Sequence, residues 1–164
     1  MTPRLAIAIA MLACTICRAD DNAPTLAAEG YCLVSTVEDQ VWIKGEPTIR
    51  SDYRGCRFHF LSGNEKAKFD ERPEFYAPML DGNDPVLAAD SDKLVVGKRD
   101  FAMRHNDRTY FFNSRKNMMA FDANPAPYAT HARNCQEIDD KLRRLELRRG
   151  KPASTKLPHD KVGG

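Results

Sequence analysis

The chain has 164 residues, of which 42% are apolar and 29% charged, and its formal net charge at pH 7 is +2. This length allows one compact domain or two small domains that share a core, and the composition is that of an ordinary globular protein. Because no stretch combines clustered basic residues with aromatic residues, the sequence gives no support to nucleic-acid binding.

Residues 1–19 predict a signal peptide. Arg4 is followed by an unbroken apolar run, 5–13, and then by small or polar residues that end in Ala19, the expected cleavage position. Such a run is too short to span a bilayer as a helix, but it has the layout of a secretory signal. We therefore expect a periplasmic or secreted protein.

Two cysteines in this segment suggest other roles. Residues 11–14 partly resemble a lipoprotein signal in which Cys14 would carry the lipid, and only in that case do we expect attachment to a membrane. Cys14 and Cys17 have the spacing of a redox motif, but cleavage after Ala19 would discard both. The sequence does not choose between cleavage and lipidation.

The rest of the chain is organised around a repeat. Residues 30–77 align without a gap onto 82–129 at an offset of 52 positions, and ten of the 48 pairs are identical. The identical pairs are Gly30/Gly82, Val34/Val86, Gly45/Gly97, Phe60/Phe112, Ser62/Ser114, Phe69/Phe121, Asp70/Asp122, Pro73/Pro125, Tyr76/Tyr128 and Ala77/Ala129. Identity concentrated in glycine, proline and aromatic residues indicates two copies of one folding unit.

Residues 20–29 are small and polar and predict a linker, after which each copy predicts a strand, a β-hairpin and a short helix. The first strand is the apolar run 41–43 in one copy and 94–96 in the other. The hairpin turns are Arg54-Gly55 and Asn106-Asp107, in which Gly, Asn and Asp tolerate the positive φ angles of tight turns. In the second hairpin strand, period-2 alternation directs His59 and Phe111 away from the core face.

The helix of each copy has clear start and stop signals. Ser62 with Glu65 forms a capping box, and Ser114 retains the cap in the second copy. Pro73 and Pro125 predict the helix ends. Since about 50 residues are marginal for independent folding, we expect the two copies to bury their apolar faces in one pseudo-symmetric α+β domain.

The pattern changes after the second copy. Apolar residues at spacings of three, four and three predict an amphipathic helix over 133–149 that docks on the repeats. The stripe consists of Cys135, Ile138, Leu142 and Leu145. It is short for a coiled coil, so we expect a monomer. Segment 150–164, with its prolines and terminal glycines, predicts a disordered tail.

Short segments in both copies carry a family resemblance. They are 60–62 with 69–76, 110–114 with 121–128, and Asp84-Pro85-Val86 upstream. Together they resemble the YHS domain, a small module of bacterial metal-handling proteins, heavy-metal ATPases and some multicomponent monooxygenases. The resemblance spans both repeats and implies an exported bacterial protein with tandem, degenerate YHS domains.

The metal site that this resemblance implies has lost its ligands. Metal-binding members have one cysteine after the Asp-Pro-Val motif and two more in Phe-Cys-Ser-x-x-Cys at the start of the helix. The corresponding positions hold Ser35, Leu61 and Glu65 in the first copy and Leu87, Asn113 and Asn117 in the second. A closed site for a soft metal needs about four nitrogen or sulfur ligands, so the family's usual site is dismantled here.

A rebuilt metal site is the main alternative. His131 and Cys135 lie four residues apart, hence on one helix face, and together with Cys32 and Cys56 they could bind copper or zinc. The simpler interpretation is an exposed histidine and a buried cysteine, with no cofactor. In an oxidising compartment one disulfide among Cys32, Cys56 and Cys135 is expected, and the sequence leaves the pairing open.

These features favour an exported, non-catalytic binding or accessory module with an unidentified protein or small-molecule partner. A periplasmic copper- or zinc-binding protein is the second hypothesis, and an enzyme is the third. Cys56 and His59 are three positions apart on a strand and therefore face opposite sides, which disfavours a nucleophile pair. An open polar cleft between the two copies would favour the enzyme.

Overall fold

The computed structural model describes residues 23–149, and the fold is α+β, as predicted. Strand β1 (Thr25–Leu26) precedes the first copy, which contains α1 (Leu33–Glu38), β2 (Glu46–Tyr53), β3 (Cys56–Phe60), α2 (Gly63–Glu71) and α3 (Pro73–Tyr76). The second copy contains α4 (Pro85–Ser91), β4 (Lys98–His105), β5 (Arg108–Phe112) and α5 (Arg115–Ala123), and α6 (Pro125–Arg148) begins at its end and continues beyond it. The predicted signal peptide, with Cys14, and the predicted tail 150–164 lie outside the described residues.

The two hairpins and the helices that follow them occur where the sequence predicts them. Strands β2 and β4, strands β3 and β5, and helices α2 and α5 each start and end 52 positions apart. Both hairpins are antiparallel, and their turns have the expected positive φ, 54° and 76° at Arg54 and Gly55. The predicted caps are also present, since the Oγ atoms of Ser62 and Ser114 accept hydrogen bonds from backbone N–H groups of α2 and α5.

The beginning of each copy differs from the prediction. Residues 41–43 and 94–96 do not form strands, and the segments before them form helices α1 and α4 instead. The chain at each run pairs with the segment ahead of its helix at one isolated bridge, Tyr31 to Lys44 directly after the first run and Asn83 to Val96 at the end of the second. Because the pairing is limited to a single bridge, neither run forms an extended ladder.

Part of the predicted linker also belongs to the sheet. Thr25 and Leu26 form β1, which pairs in parallel with Cys56 and Arg57 of β3, so the first sheet has the order β1-β3-β2. Ala27, directly after β1, is buried. Small, polar composition predicted a tether here, whereas backbone pairing with an open strand edge orders these residues.

Two glycines are repeated because the chain passes very close to a strand in each copy. Gly45 donates its N–H to the carbonyl of Gly30, and Gly97 donates to that of Gly82, both at 2.9 Å. A Cβ at Gly45 would lie 2.4 Å from the carbonyl carbon of His59, and a Cβ at Gly97 would lie 2.5 Å from that of Phe111. Only glycine fits at such a distance from backbone atoms.

Each copy builds its apolar core around one helix phenylalanine. The ring of Phe69 lies 4.6 Å from that of Phe58, measured between centroids, and Phe121 lies 4.7 Å from Tyr110. Phe111 joins the two cores, because it belongs to β5 yet is buried in the cluster of the first copy. The expectation that Phe111 points away from its own core face is therefore right, but the other copy covers it.

Helix α6 differs from the predicted C-terminal helix in both start and orientation. It begins at Pro125 rather than at residue 133, because proline is well tolerated in the first turn of a helix. Three residues of the predicted core stripe face outward, with Ile138 54%, Leu142 40% and Leu145 47% exposed, whereas Cys135 packs against the core of the second copy. The buried positions are Ala129, Ala132, Gln136, Asp139 and Arg143.

Buried charges explain this orientation of α6. The Arg54 side chain is 4% exposed, and its Nε lies 2.8 Å from Asp81 Oδ1 and its Nη2 2.7 Å from Asp139 Oδ2. Its Nη1 contacts the carboxylate of Asp140, and Arg143 Nε lies 2.6 Å from Asp139 Oδ2. Because an unpaired buried guanidinium is very unfavourable, the acidic face of α6 turns inward toward Arg54.

Candidate functional site

A cleft of about 500 Å³ lies where the two copies meet. One wall comes from α1 and the loop after it, in the first copy, and the other comes from β4 and β5, in the second. The residues that line it are Thr36, Val37, Gln40, Trp42, Arg99, Asp100, Ala102, Met103, Arg104 and Thr109. The cleft thus combines an apolar floor, neutral polar groups and two guanidinium groups.

The first wall is shaped by the end of helix α1. Thr36 Oγ1 donates to the carbonyl of Cys32 at 3.0 Å, which holds that side chain along the helix. Gln40 has a φ of 59°, so the chain reverses there and presents Trp42 to the cleft. The Trp42 ring is half-buried and packs edge-on against Tyr31, with centroids 5.9 Å apart. This packing fixes the position of the indole.

A bulge in β4 shapes the second wall. Lys98 pairs with Phe112 and Ala102 pairs with Phe111, so residues 99–101 have no partner on β5. Bulges of this kind redirect side chains at the edge of a sheet. Here Arg99 and Asp100, both within the bulge, line the cleft.

Arg99 is held by aromatic rings rather than by buried carboxylates. Its guanidinium carbon lies 4.7 Å from the centroid of the Tyr31 ring and 5.9 Å from that of Trp42, distances typical of cation–π contacts. Arg99 Nη2 lies 3.2 Å from Asp100 Oδ1, and the side chain of Asp100 is 74% exposed. Arg99 Nε is buried and has no hydrogen-bond partner within residues 23–149. Nε is thus shielded by the groups packed around it, while other parts of the Arg99 side chain line the cleft.

Arg104 adds a second positive charge. Its guanidinium carbon lies 4.6 Å from the centroid of the Phe75 ring, and Nη2 lies 3.8 Å from Asp107 Oδ1. The side chain of Asp107 is 87% exposed, so solvent screens this ion pair. Both arginines of the cleft thus have weakly held carboxylate partners.

The cleft has no counterpart at the equivalent place in the other half of the repeat. At an offset of 52 positions, Arg99 corresponds to Pro47, and Arg104 corresponds to Asp52. Thr36 corresponds to Ala88 on α4, which is buried and packs against α6. The equivalent place therefore lacks the cations, because the first copy has Pro47 and Asp52 there, and it lacks the open helix face, because α6 packs against α4 of the second copy.

The four metal-ligand candidates of the sequence do not come together. Cys32 and Cys56 are buried in the core of the first copy, whereas Cys135 packs against the core of the second. Cys135 Sγ lies 3.4 Å from Nε2 of His131, as their helical spacing predicts. Within residues 23–149, no group of three or more His, Cys, Asp or Glu residues is arranged to hold a metal ion.

The three cysteines of the described region are free thiols. Burial raises the pKa of the Cys56 thiol to about 11 and also raises the pKa of Cys135. Thiolates are the forms that bind metals and attack electrophiles, so burial makes Cys56 a poor ligand and a poor nucleophile.

A buried carboxylate organises the start of helices α4 and α5 in the second copy. Asp84 is fully buried, and its Oδ2 accepts hydrogen bonds from Asn113 N and Asn117 Nδ2, both at 2.7 Å. Its Oδ1 accepts from the N–H groups of Val86 at 2.8 Å and Leu87 at 3.2 Å. Three of the positions without cysteine, Leu87, Asn113 and Asn117, thus serve a buried hydrogen-bond network.

Sequence reasoning missed the two arginines of the cleft. It also gave Trp42 no functional role, although that ring lines the cleft as well as packing beside the first cluster. The available signal was the difference between the copies, since Trp42, Arg99 and Arg104 are all positions at which the repeat is not retained.

Comparisons of the chain with models of protein families, with curated proteins and with solved structures found no match. Within residues 23–149, no helix is both long enough and apolar enough to cross a membrane.

Proposed function

We propose that the protein is an exported, non-catalytic binding module that holds a small molecule in the cleft between its two copies. The observation that carries this proposal is the cleft itself, which brings Trp42, Arg99 and Arg104 together at the junction of the repeats. Its volume of about 500 Å³ falls in the range of ordinary ligand sites, which are mostly apolar with a few polar groups that orient the ligand. Export to the periplasm or beyond is part of the proposal and rests on the N-terminal segment 1–19.

The chemistry of the lining favours binding over catalysis. Of the described residues that line the cleft, none is histidine, cysteine or glutamate, and the one carboxylate is Asp100. Asp100 is largely exposed and its Oδ1 lies 3.2 Å from Arg99 Nη2, so it is a solvated ion-pair partner rather than a buried group positioned for proton transfer. An open cleft between the copies is the feature expected of an enzyme, but these residues offer it no nucleophile paired with a base.

In this proposal, the unit that resembles the YHS domain serves as a scaffold. In metal-binding YHS domains, a metal held by thiolates would join the segments that correspond to the starts of α4 and α5. Here Asp84 joins the same segments through hydrogen bonds from Asn113 and Asn117. A fully satisfied buried carboxylate can tie these segments together without a metal. The repeated unit then supplies rigidity, and the non-repeated residues of the cleft supply recognition.

A copper- or zinc-binding protein is the second candidate, favoured by one contact. Cys135 Sγ and His131 Nε2 are 3.4 Å apart on α6 and could act as two ligands for a metal ion. A tight site needs about four, so further ligands would have to come from elsewhere. Stoichiometric zinc or copper in purified protein, lost in Cys135→Ser, would support this candidate.

Binding in the cleft is tested by measuring tryptophan fluorescence. Trp42 is the single tryptophan of the chain, so its fluorescence reports events in the cleft. The full chain is titrated with a panel of small cations, neutral molecules and anions, with thermal stabilisation as a second readout. We expect members of the panel to bind and to lose affinity at least tenfold in Ala102→Leu, which fills the cleft.

The matched control is Ala67→Leu, at an exposed position of α2 outside the cleft. It should bind like the unmodified chain. If no compound of any charge binds, or if the compounds that bind are unaffected by Ala102→Leu in a folded protein, the cleft is not the binding site and the proposal is wrong.

A further inference from the structure

We propose that the ligand of the cleft is a small aromatic carboxylate, bound with its carboxylate on Arg99 and its ring beside Trp42. This inference rests on the proposed binding function and adds the chemical class of the ligand. It starts from the guanidinium of Arg99, which lines the cleft and whose Nη2 is paired with the largely exposed Asp100.

Arg99 offers the geometry that a carboxylate needs. A guanidinium presents adjacent N–H donors in a planar fork, which matches the two oxygens of a carboxylate. Nη2 of Arg99 already lies 3.2 Å from a carboxylate oxygen, that of Asp100. Since the Asp100 side chain is 74% exposed, this ion pair is screened by water and is easily exchanged for a ligand carboxylate.

The charge of the lining favours a single negative charge on the ligand. The residues that line the cleft include two arginines and one aspartate, so the lining carries a net positive charge. Arg104 lies on the same wall of the cleft as Arg99, and its ion-pair partner within residues 23–149 is the exposed Asp107, at 3.8 Å. A cationic ligand would be repelled by both guanidinium groups, and a neutral ligand would gain no charge-assisted hydrogen bond.

The body of the ligand is indicated by the apolar part of the lining. The apolar residues of the lining are Val37, Trp42, Ala102 and Met103, from both walls. An aromatic ring gains favourable contacts with an indole and with a methionine sulfur. Small inorganic anions such as phosphate would leave this surface in contact with water, so they fit less well.

The test compares four probes that differ in one property each: phenylacetate, phenylacetamide, phenethylammonium and acetate. Binding to the full chain is measured by titration calorimetry at low salt. We expect phenylacetate to bind at least tenfold more tightly than the amide, the amine to bind more weakly than the amide, and acetate to bind weakest among the anions. If phenylacetate binds no better than the amide or the amine, or does not bind at all, the proposed ligand class is wrong.

Substitutions of the arginines test which side chain causes the preference for phenylacetate over phenylacetamide. Arg99→Gln should make phenylacetate and phenylacetamide bind equally, and Arg99→Lys should retain part of the preference because it keeps the charge but not the fork. Arg57→Gln, on β3 and outside the cleft lining, should leave the preference unchanged. If Arg99→Gln unfolds the chain, the same comparison of phenylacetate with phenylacetamide is made in Arg104→Gln. A preference for phenylacetate that is unchanged in Arg104→Gln would contradict the argument that the positive charge of the lining selects an anion.

The results of these titrations distinguish an error in the ligand class from an error in the proposed binding function. Binding of cations or neutral molecules in the cleft, without a preference for phenylacetate, would overturn the ligand class and leave the binding module standing. Failure of the whole panel to bind would overturn both.

Discussion

The guanidinium of Arg54 lies 2.7 Å from the carboxylate of Asp139, although 85 positions separate the two residues in the chain. Arg54 is in the turn of the first hairpin, and Asp139 is on the buried face of α6. Asp81, between the copies, lies 2.8 Å from the same guanidinium. One buried cation therefore joins the first copy, the junction and the C-terminal helix.

The Arg54→Ala substitution should be strongly destabilising. Removing the guanidinium leaves the carboxylates of Asp81 and Asp139 buried beside Arg143 alone, and losing one partner of a buried ion pair costs about 3–5 kcal/mol. The free energy of unfolding measured in urea checks this value. Arg57→Ala is the matched control, because Arg57 is on the same hairpin but pairs with Asp52 at the surface, and it should change stability little. Equal effects of the two variants would contradict the role given to Arg54.

The repeated glycines should not accept alanine. Gly45→Ala or Gly97→Ala would place a Cβ 2.4–2.5 Å from backbone atoms of the neighbouring strand, and neither backbone can move without breaking its hairpin. We expect each substitution to cost about 3 kcal/mol or more, the upper end of the overpacking range. Thermal denaturation followed by circular dichroism measures the loss.

Gly63→Ala is the control for both glycines, since a Cβ at Gly63 meets nothing within 4 Å. It starts α2, where alanine is the better helix former, so its stability should be unchanged or slightly higher. A destabilised Gly63→Ala, or a fully stable Gly97→Ala, would show that close approach is not the reason for the glycines.

The three thiols of the described region should differ in reactivity. In a Cys14→Ser, Cys17→Ser chain at pH 8, Cys135 should react first, because it is partly exposed while Cys32 and Cys56 are buried. With its pKa raised to about 11, Cys56 is thiolate in about one molecule in a thousand at this pH. Alkylation followed by mass spectrometry of peptides measures each rate, and all three should react in denaturant. Recovery of one thiol instead of three would indicate a disulfide, for which Cys32 with Cys56 is one of three pairings.

Glu38 should contribute stability that is lost in acid. Hydrogen bonds from Lys68 and then from Tyr76 lower the pKa of this carboxyl group below its ordinary value of 4.5. A lowered folded-state pKa means that the stabilisation is complete above the unfolded-state value and is lost as pH falls through the folded-state value. The stability difference between the unmodified chain and Glu38→Gln should therefore be constant near neutral pH and shrink below about pH 4.5.

Urea denaturation between pH 3 and pH 7 measures this difference. Glu71→Gln, at an exposed position at the end of α2, should show a much smaller dependence on pH. A Glu38→Gln difference that grows toward low pH would have the wrong sign and would contradict the assignment.

Local signals in the sequence were sufficient to predict the two hairpins and the helices that follow them. The Gly55 turn, the Ser62 cap and the Pro73 stop act on neighbouring residues, so the chain near them determines the structure. They predict β2, β3 and α2 correctly, and the repeat extends the prediction to β4, β5 and α5.

The orientation of α6 could not be read from its own sequence. The stripe that includes Ile138 and Leu142 is the more apolar face, and the usual rule buries it. The decisive partner, Arg54, is 86 positions from Asp140 and gives no sign in sequence that it will be buried. The cleft escaped prediction for the same reason, because Trp42 and Arg99 meet only after the two copies have packed together.

The burial of Arg54 also bears on which part of the chain can fold alone. The partners of Arg54 within residues 23–149 all lie later in the chain, and Asp140 follows it by 86 positions. A first copy without α6 would have to bury this guanidinium without the carboxylates of Asp139 and Asp140, or leave it in water. We therefore expect the native packing of the first hairpin to require the C-terminal helix.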